Sequence, residues 1–234
     1  MRITSINNQL VKDTTKLHQK KHRDKTGLFL VEGYHLYEEA LKSGEIETVF
    51  TTDETITGDN VITVTPQVLE KLSQIKTPQA VLSVCKKVYK RELSDKVLIL
   101  QEVQDPGNLG TLMRSALAFG FKTIVLDNTV DIYNDKVLRS TQGAIFKMNI
   151  IESNTNDFME KYTDYTYYGT EMFGSDLLTV FKPSKVAIIL GNEGSGLSQE
   201  TLENTAQNIT IKMQETESLN VGVAGSIIMH YFNS

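Results

Sequence analysis

Ile211-Lys212-Met213-Gln214-Glu215-Thr216-Glu217-Ser218-Leu219-Asn220-Val221-Gly222-Val223-Ala224-Gly225, read with Gly191-Asn192-Glu193-Gly194-Ser195-Gly196, is the part of the chain from which the fold can be worked out. Just upstream, Val186-Ala187-Ile188-Ile189-Leu190 is an apolar run without alternation, the pattern of a strand buried on both faces. It stops at a loop holding three glycines in six residues. Glycine carries no Cβ, so such a loop can take positive φ and bring its amides against a ligand. Ile209-Thr210-Ile211 reads as a neighbouring strand. Ser218 suits the N-cap of a helix that places Val221, Ala224, Ile228 and Tyr231 on one face. Two strand ends and a helix start then converge, which is where open α/β sheets hold ligands. A single glycine loop is more often an ordinary turn beside a core helix. The spacing is also not Gly-x-Gly-x-x-Gly, and no Gly-Lys-Ser/Thr phosphate loop occurs.

Working outward, residues 97–101 read as a strand, 108–119 as a helix closed by Gly120, and 122–126 as the next strand, a right-handed βαβ unit. A helix over 135–141, an extended piece over 145–151, a short helix over 157–162 and a strand over 165–169 lead into the glycine loop. Charge rises and hydrophobic periodicity lapses around 86–96, so the expected layout is a domain over 1–90, a linker over 91–96 and a second domain over 97–234. The first domain reads as a small α/β unit. It has an amphipathic helix over 7–21, strands at 28–31, 46–51, 61–64 and 79–86, a helix ending near Lys42, and another opening at Pro66.

The net charge of -5 argues against a generally polyanion-binding surface, but its distribution is uneven. Residues 1–27 hold seven Lys/Arg against two Asp, and the balance is +1 over 1–95 and -6 over 96–234. Lys20, Lys21 and Arg23 are the centre of this basic edge, which suits phosphate contact and equally suits a solvated helix face. The lone Cys85 sits among Val81, Leu82 and Val84 and reads as a buried strand residue. Four scattered histidines offer no metal spacing, so no metal is expected. No apolar run approaches the ~20 residues that span a bilayer. The N-terminus has no apolar signal region, so a cytoplasmic protein without a membrane partner is expected.

A second constellation, Asp105-Pro106-Gly107-Asn108-Leu109-Gly110-Thr111-Leu112-Met113-Arg114-Ser115-Ala116-Leu117-Ala118-Phe119-Gly120, begins as a turn and continues as a helix with Asn108 at the N-cap. Arg114 stands out in this mostly apolar helix. A buried cation there would need an anionic partner, although most helical arginines reach solvent or pair structurally.

Asn108-x-Gly110-x-x-x-Arg114-x-Ala116-x-x-x-Gly120 resembles the first motif of the SpoU (TrmH-type) RNA 2'-O-ribose methyltransferases of the SPOUT class. Gly191-Asn192-Glu193-Gly194-x-Gly196-Leu197-Ser198 resembles the second motif. Ile211-x-Met213 with Glu217-Ser218-Leu219-Asn220-Val221-x-Val223-Ala224 resembles the third. Phe29-Leu30-Val31-Glu32-Gly33 and Thr77-Pro78-Gln79 are similar to the substrate-binding domain that precedes the catalytic one in many members.

The resemblance implies an α/β fold: a C-terminal SPOUT-type sheet with a deep trefoil knot, preceded by a small α/β RNA substrate-binding domain. It implies S-adenosylmethionine as methyl donor, a homodimer, and methylation of a ribose 2'-hydroxyl in structured RNA, with ribosomal RNA ahead of transfer RNA. The residues it places at the cofactor are Leu190, Gly191, Asn192, Gly196, Ile211, Met213 and Leu219. Asn108, Arg114, Glu193, Ser218 and Asn220 would surround the reacting ribose, with Glu193 holding Arg114, and Arg114 would also join Lys20, Lys21 and Arg23 in contacting RNA. Two departures stand out: Lys212 replaces a usual proline, and Gly222 a usual serine, which would loosen a turn and remove a hydroxyl near the pocket. A non-catalytic RNA-binding relative and a nucleotide-dependent oxidoreductase are the competing readings. The intact polar motif residues disfavour the first, and the glycine spacing disfavours the second.

Overall fold

The computed structural model describes residues 1–87, 92–216 and 218–233. Lys90, Arg91 of the expected linker and Glu217 of the third motif lie outside them. The chain forms two compact units, Met1–Val88 with Tyr133–Phe146, and Tyr89–Ile132 with Lys147–Ser234.

The first unit runs β1 (Arg2–Ile3), α1 (Gln9–Lys16), α2 (Lys20–Thr26), β2 (Leu28–Glu32), α3 (Tyr34–Ser43), β3 (Ile46–Thr51), β4 (Val61–Val64), α4 (Pro66–Leu72) and β5 (Val81–Lys86). Its sheet has the order β1-β4-β3-β5-β2, with β2 and β3 antiparallel to β5. Val11, Leu17, Phe50, Val68, Leu72 and Leu82 fill its core. The helix expected over 7–21 is broken in two. Asn8 caps α1, its side chain accepting from the Leu10 amide at 2.9 Å. The N–H groups of Leu17, His18 and Gln19 then bond three residues back, the tighter winding that ends a helix. The break turns Arg23 inward, where it is 5% exposed and donates from Nη1 to the carbonyls of Leu17 and His18, each at 2.8 Å. Arg23 is therefore a brace of the α1–α2 corner and not the exposed RNA contact expected from the sequence.

The second unit opens with β6 (Lys96–Gln101), α5 (Pro106–Ala118) and β7 (Thr123–Asp127). The chain then returns to the first unit for α6 (Asp135–Thr141) and a 3-10 turn at Ala144–Phe146. Tyr133 and Phe146 pack on Phe29 of β2, with ring centroids 4.8 and 5.9 Å away. Residues 133–146 lie inside the span 97–234 expected as one domain, yet they cluster with the first unit, where Tyr133 and Phe146 pack on Phe29. Back in the second unit follow β8 (Asn149–Glu152), α7 (Thr155–Lys161), β9 (Thr166–Asp176), β10 (Val186–Leu190), α8 (Gln199–Asn204), β11 (Gln207–Thr210) and α9 (Val221–Tyr231).

The second sheet has the order β11-β9-β10-β6-β7-β8 with every pairing parallel. Val186 to Leu190 are all at most 1% exposed, as the unalternating run anticipates. After β6 the chain builds outward through β7 and β8, then crosses to the other side for β9, β10 and β11, so the topology reverses between β6 and β10. Crevices at the carboxyl ends of strands form at such reversals. β9 is longer than the expected strand over 165–169. Its pairing with β11 jumps from Asn208↔Gly169 to Ile209↔Ser175, so residues 170–174 are extra on the β9 side.

Candidate active site

The crevice holds a pocket of about 470 Å³. All seven residues expected at the cofactor, Leu190, Gly191, Asn192, Gly196, Ile211, Met213 and Leu219, line it, and so do Glu193 and Ser218. The glycine loop is closed by reciprocal backbone bonds between Asn192 and Gly196, at 3.0 and 3.1 Å. A Cβ on Gly191 would lie 2.3 Å from the Gly196 carbonyl carbon, and Gly196 itself has φ +72°, so neither position tolerates a side chain at this turn. Asn192 stiffens the loop from inside: Oδ1 accepts from the amides of Gly194 and Ser195, and Nδ2 donates to the Glu102 carbonyl at 2.9 Å. Apolar faces of Ile209, Val221, Ala224 and Ile228 complete the wall. The extra β9 residues Thr170, Glu171, Met172 and Phe173 form the remaining side. The sequence reading missed these four, although the flanking Gly169 and Gly174 marked a place where a strand could depart from its partner.

Beside the pocket, three side chains from three parts of the chain form a relay. Asn220 Nδ2 donates to Asn108 Oδ1 at 2.9 Å, and Asn108 Nδ2 donates to Glu193 Oε1 at 3.0 Å. Glu193 also accepts from the backbone amides of Asp105 and Gln104, at 3.1 and 3.3 Å. Burial by itself would raise the Glu193 pKa, but the Asn108 amide and the backbone donors outweigh it and hold the carboxyl below its ordinary value. The helix caps differ from those expected. Asp105 caps α5 by accepting from the Asn108 amide, which frees the Asn108 side chain for the relay. Asn220, not Ser218, caps α9, accepting from Gly222 and Val223. Arg114 is exposed and has no hydrogen bond or ion pair among the described residues, so the expected Glu193–Arg114 pair is not formed. Glu193 instead turns its carboxylate to the start of α5, where it accepts from Gln104, Asp105 and Asn108.

A family model described as the SpoU rRNA Methylase family matches residues 95–230, and one described as the MRM3-like substrate binding domain matches residues 8–83. The chain belongs to the SpoU rRNA methylase family. That membership makes it an RNA 2'-O-ribose methyltransferase using S-adenosylmethionine. Among relatives of this SpoU protein, the Bacillus subtilis 23S rRNA (guanosine(2553)-2'-O)-methyltransferase RlmP is 38% identical over 98% of each chain. The Homo sapiens mitochondrial rRNA methyltransferase 3 is 26% identical over 92% of this chain and 54% of its own. The structure of an AdoMet-bound rRNA methyltransferase from Sinorhizobium meliloti matches with a TM-score of 0.88 at 31% identity, covering 99% of this chain and 97% of that one.

The two departures from the SpoU pattern take on a local meaning. Lys212 does not simply loosen its turn, because its ammonium pairs with Asp176 at the end of β9 at 3.1 Å. Gly222 does not face the pocket. It is buried where α9 meets α5, with Thr111 Cγ2 3.3 Å from where its Cβ would stand. Among the described residues no group of three or more His, Cys, Asp or Glu side chains could hold a metal ion, and no helix is long and apolar enough to cross a membrane.

Proposed function

We propose that the pocket receives S-adenosylmethionine and that the relay and Arg114 receive the target ribose of a ribosomal RNA. The observation that carries this reading is the Asn220–Asn108–Glu193 relay set against a pocket whose walls are apolar side chains and glycine-loop backbone. These surroundings fit the cofactor. Apolar walls suit an adenine ring, and backbone N–H and C=O groups of residues 190–196 suit its edge and the ribose hydroxyls. Bound there, the cofactor supplies a methyl group on a sulfonium that leaves readily as a thioether. What the chain must add is alignment of the 2'-hydroxyl and handling of its developing negative charge. Asn108, fixed by Glu193 and Asn220, orients the ribose. A guanidinium, with a pKa above ~12, is a poor proton acceptor, so Arg114 clamps a neighbouring phosphate or the incipient alkoxide instead of acting as base. Ser218 borders the pocket and contributes a hydroxyl to the substrate side.

The Bacillus relative's name makes a 23S rRNA guanosine the first substrate to test. Mapping 2'-O-methyl positions in total RNA with and without the protein identifies the site; an unchanged map overturns the reading. We assign residues 1–90 to RNA recruitment and place the enzyme in the cytoplasm, with the C-terminal segment threaded as a deep trefoil knot. We further assign a homodimer through α9 and the segment before β10. There Leu178 and Phe181 are each 76% exposed, Val223 and Ile227 lie on the outer face of α9, and Tyr231 of α9 donates to the Val180 carbonyl at 2.8 Å. Ile227→Glu with Phe181→Glu should give a monomer in sedimentation; an unchanged mass overturns this interface.

A further inference from the structure

We propose that Gln101, the last residue of β6, is a positioning residue that sets the place of the glycine loop and so controls cofactor affinity. Gln101 is 8% exposed, and its amide makes two bonds to the far end of that loop. Oε1 accepts from the Ser198 backbone amide at 2.9 Å, and Nε2 donates to Thr201 Oγ1 at 2.9 Å. A backbone N–H can only donate, which fixes the amide oxygen toward Ser198 and the amide nitrogen toward Thr201. Thr201 is fully buried, and Ser198 caps α8 through its own hydroxyl, which reaches Thr201 Oγ1 at 2.9 Å and accepts from its amide at 3.2 Å. Gln101 therefore holds the cap of α8 from below.

The adjacent residue holds the loop's near end. Glu102 has φ +59°, a conformation L side chains adopt at a cost, and its carbonyl accepts from Asn192 Nδ2. The glycine loop, whose backbone faces the pocket, is thus strung between two consecutive residues at the exit of β6. One of them supplies a buried side chain and the other a strained backbone. Loss of the Gln101 amide would leave the Ser198 N–H without its side-chain acceptor and take from the fully buried Thr201 hydroxyl one of its two donors, and the loop would relieve that by moving. Movement of the loop displaces first the amides and carbonyls that meet the cofactor, and to a lesser degree Glu193, which its bonds to Gln104, Asp105 and Asn108 hold at the start of α5.

This inference rests on the pocket being the S-adenosylmethionine site, and the experiment separates the two. Calorimetry measures S-adenosylmethionine binding to the full chain as wild type, Gln101→Leu, Gln101→Glu and Thr123→Val, and steady-state methylation of ribosomal RNA gives kcat and both KM values. Gln101→Leu should raise the Kd and KM for the cofactor about tenfold or more, with a smaller fall in kcat at saturating cofactor, because Glu193 rides on the same loop, and with the KM for RNA held within about twofold. Gln101→Glu should restore most of the affinity, because its carboxylate accepts from both Ser198 N–H and the Thr201 hydroxyl at the start of α8. Thr123→Val, which removes the buried hydroxyl that accepts from the Ser94 amide at 3.0 Å elsewhere in the same unit, should lower the melting temperature without changing cofactor affinity. Should Gln101→Leu fail to fold, the unbranched Gln101→Met takes its place. No binding by the wild type overturns the pocket's assignment together with this inference. Wild-type binding matched by Gln101→Leu, or equal loss in kcat and in affinity for RNA, overturns the inference alone.

Discussion

Glu193 accepts from two backbone amides and one side-chain amide, and this sets how the site responds to acid. Its folded pKa lies below the ordinary 4.5, so the carboxylate stabilises the relay wherever the pH exceeds that value, and the contribution is lost as pH falls through the folded pKa. Activity should therefore show no Glu193-dependent change near neutrality and an acid limb below pH 4.5 that Glu193→Gln lacks, read from a pH–rate profile. At neutral pH Glu193→Gln turns an acceptor into a donor facing other donors. A loss of about tenfold or more in methyl transfer with the circular dichroism unchanged is expected, since hydrogen bonds to a charged group contribute ~1.5–3 kcal/mol. Arg114 behaves oppositely, having no partner to lose among the described residues. Arg114→Ala should abolish methyl transfer while cofactor affinity stays within about threefold and the melting temperature is unchanged. Arg114→Lys should recover little if the guanidinium binds in a bidentate fork. Both residues could be picked out in the sequence, but their relationship could not, because a carboxylate's nearest donors at a helix start are backbone groups that no residue pattern records.

α5 and α9 approach closely because α9 puts glycine where the two helices and β10 meet. A Cβ on Gly225 would stand 2.4 Å from Leu112 Cδ2 and 2.5 Å from Leu190 Cδ1. Ser115 and Ser226 share a hydrogen bond of 2.7 Å across the same contact. Gly225→Ala should lower stability in denaturant unfolding by about 1–3 kcal/mol from overpacking, less a few tenths regained in helix propensity. It should also weaken cofactor binding, since Leu190 lines the pocket. The buried strands of the second sheet were the most legible elements, because a short unbroken apolar run bounded by glycines belongs inside a sheet covered on both faces. The long β9 and the short α8 were not, because an irregular pairing with β11 and a cap held by Gln101 are tertiary events. The α1–α2 corner was misread for a similar reason. Leu10, Val11 and Leu17 keep a helical spacing across a break that Arg23 closes from inside. Reversing Arg23 to Glu should accordingly unfold that corner, visible as lost helical circular dichroism. Lys12, Lys21 and Lys25 are exposed. Their triple reversal should leave the fold intact and flatten the salt dependence of RNA binding in filter titrations, provided the edge contacts phosphates.

At the scale of the whole molecule, the charge imbalance and the motif order made two bodies legible, whereas the return of residues 133–146 to the first one was not. Val137, Leu138 and Phe146 look like any helical core positions, and only the ring contacts with Phe29 say whose core they complete. Residues 97–234 made alone should therefore expose this apolar surface and bind a hydrophobic dye, where the full chain does not. The same return has a consequence in time. A chain emerges from its N-terminus at about 5–20 residues per second, so residue 146 follows residue 88 by roughly 3 to 12 s. Until its end Phe29 waits without its full set of ring partners, while β6 and β7 appear before β10 and β8, the strands they pair with on their other sides. The first body can finish only once residue 146 has emerged, when the opening strands of the second are already out and its residues 147–234 are still to come, so the two assemble in succession with the making of their chains interleaved.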